Sequence, residues 1–434
     1  MKVKTIKSLC GMLALLAFSA CSSNIDESAD APHFYNVTLT ASMEGGDTRA
    51  LSEGTGNVIT ATFAENDEVV VVDADGSTIV GTLKALSAGE STTLSGTLDA
   101  ASLTVGEKVT LRYRSATANY DGQLGTLAGI AANQDYAEGT LTVSTTSPSL
   151  TFESNSVTLL AKQSITKFTF KNGTNPVTVK TFGIAAVGLV QSIATDGTPT
   201  MGAVTGTLGT ANSDVYVALR TSSSSQAYSF TVKDNDGNWY TATKNAKLTN
   251  GKNYTATVKL TKWIDKSSNL TKDSNVGDIG LLGGLPAIAI DGNKAVALMN
   301  VGSLCPEAYG TYYVFDDRAS GLSNDWYVPT EAELTSFKNT YSSTWGAPHG
   351  VNGRTFTIGS NTLFLPAAGL DDTDDDPHDF INVSTFGYYW SSTLSETLPI
   401  CLSFSSSVVN IISDYPSDAL TVRPFHALPE QQNN

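Results

Sequence analysis

Few residues in this 434-residue chain have the types and spacing that chemistry needs. It holds four His, and no two of them stand at a metal-binding spacing such as H-x-x-x-H. There is no G-x-S-x-G, no C-x-x-C and no phosphate loop, so a non-catalytic protein is expected. The groups that could bind something lie in irregular stretches. Residues 371–379 form an acidic run in which Asp371, Asp372, Asp374 and Asp376 could offer the carboxylate oxygens that Ca²⁺ prefers. The alternative is a solvated acidic loop. Asp234, Asn235 and Asp236 form a second acidic cluster. It reads as a hairpin turn, because no Glu follows at the calcium-loop spacing. Trp345, His349 and Tyr415 stand outside any regular pattern and are candidates for stacking on a sugar or packing on a protein.

Two cysteines, Cys305 and Cys401, lie in the last third of the chain. They could be bonded in an exported protein, or be two buried thiols acting as small hydrophobes, and both readings stand open. Cys10 and Cys21 belong to a leader. Lys2, Lys4 and Lys7 precede an apolar run over residues 9–18, too short to span a bilayer. The following Leu-Ala-Phe-Ser-Ala-Cys resembles a bacterial lipobox, in which Cys21 would carry lipid. The membrane would then be met through that anchor alone, at the outer membrane or cell surface. The formal charge is −16, and losing three leader lysines takes it to −19. Such a chain repels nucleic acid.

The elements that must hold these residues are mostly strands. Ser, Thr, Gly and Val dominate, and strand formers alternate with turn formers. Strands are expected at 36–41, 67–73, 78–83 and 107–113, then at 165–170, 228–232 and 239–243, with 250–260 closing the domain. A Gly-rich connection at 120–130 is expected to turn Leu124, Leu127 and Ile130 inward. One helix is clear. Pro329 ends a strand built on Trp326 to Val328, Thr330 sits at the N-cap, and Glu333 completes a capping box. The helix then runs through Leu334, Phe337 and Tyr341 with one apolar face.

Two resemblances follow from these stretches. The run Y-x-G-Q-x-G-T-L at 120–127, a following D-Y, and G-K-x-Y-x-x-x-V-x-L near 251–260 resemble the fimbrillin family of type V pilins and associated surface lipoproteins. That resemblance covers about residues 34–262. It implies two tandem transthyretin-like β-sandwiches and assembly with other pilin subunits by strand exchange. It also makes Arg49, with Ala50 after it, a candidate protease site that would release the first strand; an ordinary loop arginine is the alternative. The ordered motifs Y-G-x-Y-Y, W-x-V-P-T-x-x-E, Y-W-S-S-T and V-R-P resemble C-type lectin-like modules, implying an α+β fold with paired terminal strands and ligand-bearing loops. Trp326, Trp390 and Arg423 are expected to be scaffold there. The expected plan is a signal peptide at 1–20, a tether at 21–33, β-sandwiches at 34–155 and 156–262, a linker at 263–276 and a lectin-like domain at 277–434. The function expected from the two resemblances is a fimbrial tip subunit with an adhesive head for a surface glycan or protein. The alternative is a non-polymerising, lipid-anchored glycan-binding protein.

Overall fold

The computed structural model describes residues 33–44, 52–53, 59–60, 62–222, 224–323, 325–372 and 379–431. It is mainly β. The first body is one sheet wrapped around its own core. Its strands are β1 (Phe34–Glu44), β2 (Glu68–Val72), β3 (Ile79–Ala85), β4 (Ser91–Asp99), β5 (Lys108–Tyr113), β6 (Ala137–Thr145) and β7 (Ser156–Ala161). The order is β6-β7-β1-β4-β3-β2-β5, and β5 pairs back to β6, which closes the sheet. Alternation decides which side faces in. Val37, Leu39 and Ala41 of β1 are buried beside Leu94, Leu98, Val157 and Leu159, while the residues between them face out.

The second body repeats the plan with β8 (Ser164–Asn172), β9 (Val179–Ala186), β10 (Val204–Asn212), β11 (Asp214–Leu219), β12 (Ser225–Asp234), β13 (Trp239–Lys247) and β14 (Asn253–Ile264). Its order is β11-β8-β14-β13-β12-β9-β10. In both bodies the first strand runs parallel to the last, β1 with β7 and β8 with β14, within otherwise antiparallel pairings.

Two boundaries move from their expected places. Residues 156–161 belong to the first body, because β7 pairs with β1 and β6. Residues 120–136 leave the first body and enter the core of the second, where Tyr120, Ile130 and Tyr136 are buried. The helix α1 (Leu127–Asn133) lies in this stretch, capped by Thr126. Leu124 points outward at 48% exposure, against the expectation, because Gln123 takes the inward place. Consecutive residues of an extended chain face opposite ways. The 263–276 stretch is no free linker. Trp263 and Ile264 end β14, Leu270 is buried, and Leu270 N–H and Leu281 N–H donate to the carbonyls of Leu281 and Ser268.

The third body begins with β15 (Ile279–Leu282), β16 (Leu285–Asp291) and β17 (Lys294–Ala297), and adds β18 (Trp326–Tyr327) and, near its end, β27 (Phe425–Ala427). These form one sheet in the order β15-β16-β17-β27-β18. Between β18 and β27 come α2 (Glu331–Thr340), the meander β19 (Ser343–Gly346), β20 (Gly353–Ile358) and β21 (Asn361–Pro366), the pair β22 (Leu370–Asp372) and β23 (Asp379–Ile381), and the meander β24 (Gly387–Ser395), β25 (Leu398–Phe404) and β26 (Val409–Ser413). The capping box of α2 is complete. It contributes about 1 kcal/mol to holding the helix. Leu334 and Phe337 then press into Phe356, Leu363, Tyr389 and Phe404. Trp326 and Trp390 are buried. Arg423 is 3% exposed and donates to Ala297 O at 3.1 Å and Phe364 O at 3.0 Å, tying β17 to β21. Burial lowers its pKa. These three residues are scaffold.

Candidate functional site

The first candidate site is the place of β1. Along nine residues, from Phe34 to Ser42, β1 pairs antiparallel with β4. From Thr40 to Glu44 it pairs parallel with β7. Lifting β1 out would leave two unpaired strand edges and an apolar floor of Leu94, Leu98, Val157 and Leu159. Arg49 and Ala50, which follow β1 in sequence, lie outside the described residues, as does Cys21.

The second candidate site is an aromatic face on the third body. The β22–β23 pair sets Phe380 against Tyr312, ring centres 5.1 Å apart, with Phe380 49% exposed. Phe386 and Tyr388 stack at 5.9 Å and 16°. Residues 415–419 run beside β22 on the side away from β23, since Asp371 and Ala419 exchange both backbone hydrogen bonds. Tyr415 stands out there at 68% exposure. Asp414 N–H donates to Pro399 O, which sets Tyr415 near the β24–β25 hairpin, where Leu394 and Leu398 are exposed. Burial raises the Tyr388 pKa, and Asp414 adds to this, so the phenol stays neutral and can donate a hydrogen bond.

The expected ligand residues do not converge. Trp345 is half-buried in β19 and packs on Phe404, at 6.5 Å between centres. Phe404 pairs with Val409, whereas Ile400 at the other end of β25 pairs with Ser413. Trp345 and Tyr415 are therefore separated by about 13 Å of strand. His349 lies in a turn pressed against the second body. A Cβ on its neighbour Gly350 would come within 2.3 Å of the Val187 backbone. Trp345 is thus scaffold, and the 348–350 turn is interface.

Of the expected four-carboxylate calcium set, Asp371 and Asp372 are the members that the structure describes. Asp371 is buried and Asp372 half-buried on consecutive positions of β22, so the two side chains face opposite ways. Asp374 and Asp376 lie outside the described residues. Among the described residues no cluster of three or more His, Cys, Asp or Glu could hold a metal ion. The 233–238 stretch is a hairpin turn, in which the Asp234 carboxylate accepts from Asp236 N–H, Asn238 N–H and the Tyr240 hydroxyl.

Of the two readings open for Cys305 and Cys401, the structure has the second: both thiols are free and buried. Cys401 packs on Trp390 inside the third body. Cys305 instead plugs the junction with the second body, among Ala185, Ala203 and Ala308. A Cβ on Gly183 would lie 2.4 Å from Cys305 Cβ and 2.6 Å from its sulfur. Tyr309 Oη also donates to Met201 O at 2.9 Å across this junction. Burial pushes both thiols far above their ordinary pKa.

Sequence reasoning missed Phe380, Tyr388 and Gln123. Phe380 carried a signal, a lone aromatic at the end of an acidic run. Gln123 is fully buried, and its amide donates to Tyr120 O at 2.8 Å and Ala218 O at 2.7 Å while accepting from Ala218 N–H at 2.9 Å. Its backbone pairs with Thr205 and Thr207 of β10. One residue from the first body thereby fills the gap between β10 and β11 of the second.

No protein-family model matches the chain, and no curated protein matches its sequence. Solved structures give faint likenesses. One is described as a candidate cell adhesion protein from Bacteroides ovatus, with TM-score 0.30, 14% identity, and coverage of 53% of this chain and 96% of that one. A second is a fimbrial assembly protein from Parabacteroides distasonis, with TM-score 0.26, 13% identity, and coverage of 52% and 90%. A third is a shaft pilin from Lactobacillus rhamnosus, with TM-score 0.23, 12% identity, and coverage of 52% and 98%. At these TM-scores the likeness fixes neither the fold nor the role of this chain.

Proposed function

We propose that this chain is an exported fimbrial subunit that assembles by β-strand complementation and presents the third body as a lectin-like adhesive head at a fibre tip. The observation that carries this reading is the position of β1. It is paired on both edges, and Arg49, which follows it in sequence, is the proposed cleavage point. Cutting after Arg49 would leave β1 held by noncovalent contacts alone, in a slot that fits a strand from another subunit. The pairing of β17 with β27 supports the lectin-like reading of the third body. Tyr415, Phe380 and Tyr388 are the residues to carry ligand contact, replacing Trp345 and His349. Lipidation at Cys21 would place the protein at the outer membrane.

The test is N-terminal sequencing of protein taken from cells, combined with addition of a synthetic peptide spanning residues 34–44. An N-terminus at Ala50, with polymers that the peptide blocks, is the expected result. A chain that starts at Cys21 in assembled fibres removes Arg49 cleavage from the mechanism. The Tyr415→Ala variant of the head is expected to lose binding to a surface glycan or protein, and an EDTA arm tests whether residues 371–379 hold Ca²⁺.

A second reading is favoured by the closed sheet of the first body. With β1 in place no strand is missing from that ring, which suits a non-polymerising, lipid-anchored glycan-binding protein. Failure to co-purify with pilin subunits, with β1 still attached, would select it.

A further inference from the structure

The stretch that reads as a linker in sequence builds a wall of an open cleft of about 430 Å³ at the junction of the second and third bodies. Its volume falls in the range of small-molecule sites, which concentrate at such junctions. One wall is Trp263, near the end of β14, with Ile279 of β15 beside it. Trp263 is half-buried and packs against the cores on both sides of the junction, so its ring is held rigid. Its indole N–H has no hydrogen-bond partner among the described residues.

The rest of the cleft is polar. Ser268 and Asn269 come from the 265–276 stretch, Asp278 from just before β15, and Asn361 from the start of β21. Asn361 spends its amide N–H on Gly277 O at 3.0 Å, which fixes the side chain and leaves its carbonyl oxygen to accept. Asp278 accepts from Asn275 N–H through one carboxylate oxygen at 2.7 Å, which orients the other. The Asn269 side-chain amide makes no bond among the described residues. The cleft thus offers a rigid aromatic wall, amide and hydroxyl groups that both donate and accept, and one carboxylate. No basic side chain lines it, so an anionic ligand would be disfavoured.

We infer that this cleft binds a neutral sugar unit, a hexose or N-acetylhexosamine, whose apolar C–H face lies on Trp263 and whose hydroxyls meet Asn269, Asp278 and Asn361. An aromatic face matches the C–H side of a pyranose, and amide and carboxylate groups match its paired hydroxyls. The inference is independent of strand complementation and of the aromatic face around Tyr415.

The test uses the mature chain on an array of neutral hexose and N-acetylhexosamine oligosaccharides, followed by calorimetric titration of the strongest hit. Asn269→Ala and Asp278→Ala are each expected to weaken binding by tenfold or more. Both residues are exposed, so the fold should survive the change. Trp263→Leu should abolish binding, and the bound sugar should shift the tryptophan emission of the unchanged protein. Val105→Ala, on the exposed surface of the first body, should leave the affinity unaltered. An array with no neutral sugar bound overturns the inference. So does binding that persists in Asn269→Ala and Asp278→Ala but falls in Tyr415→Ala, which would put the sugar on the aromatic face.

Discussion

Gln123→Leu should loosen the second body although Gln123 belongs to the chain of the first. Leucine has nearly the same volume, so the change removes hydrogen bonds with little change in packing. It orphans three backbone groups, Tyr120 O, Ala218 O and Ala218 N–H, at a position with 0% exposure that water does not reach. Each buried orphan costs about 1–2 kcal/mol. Extra apolar burial by leucine returns about 1 kcal/mol. The net loss is about 2–5 kcal/mol, a large part of the 5–15 kcal/mol typical of a folded domain. Hydrogen exchange gives the readout. Amides of β10 and β11 should exchange about 30-fold to several thousand-fold faster, while β2 and β3 in the first body hold their protection. Gln123→Glu should be at least as damaging, since a carboxylate can accept from Ala218 N–H but has nothing to donate to the two carbonyls. A loss below about 0.5 kcal/mol in Gln123→Leu, or faster exchange confined to the first body, would refute the idea that this amide closes the second body.

Three further outcomes are expected. Gly183→Ala drives a methyl into Cys305, and β9 is hydrogen-bonded on both edges and cannot retreat. The third body should undock or lose about 1–3 kcal/mol, read by calorimetry, with a Cys305→Gly change restoring much of it. Cys305 and Cys401 should both resist a thiol reagent in the native protein lacking residues 1–21, and both should react after denaturation. In Gly183→Ala, Cys305 alone should become reactive while native. Burial would raise the Glu333 pKa, but the Lys294 ammonium, the Thr330 N–H and the Tyr327 hydroxyl outweigh it and hold the carboxyl at about 2. A carboxylate depressed in the folded state stabilises above its unfolded pKa near 4.3 and loses that stabilisation as pH falls toward 2. Solvent screening reduces the effect to about 1–2 kcal/mol. Denaturant midpoints between pH 5 and pH 2 should therefore fall less steeply in Glu333→Gln than in the unchanged chain.

Much of the site's framework was legible before folding. Alternation marked β1 and its neighbours because a half-buried strand must put every second residue inside. Thr330 and Glu333 marked α2 because a helix start leaves N–H groups that those two side chains satisfy. The scaffold roles of Trp326, Trp390 and Arg423 followed from motifs whose bulky or charged side chains need an interior place. The ligand residues were less legible. Trp345 and Tyr415 are both aromatics in irregular stretches, and sequence has no term for which end of β25 each one reaches.

The sequence by itself determined the local choices: strand or helix, inward or outward, turn or cap. These depend on residues within a few positions of one another, and each residue type carries its preference with it. Tertiary structure alone decided the long-range ones. It sent residues 120–136 into the second body, because the gap between β10 and β11 needs hydrogen-bond partners that Gln123 supplies. It kept Cys305 from Cys401 by seating one in a junction and the other in a core. It turned a Ser- and Asn-rich stretch from a linker into the wall of a cleft, because Leu270 within it had an apolar place to fill. Which surfaces meet depends on shape and unpaired groups that exist once the strands have closed, and no window of sequence contains them.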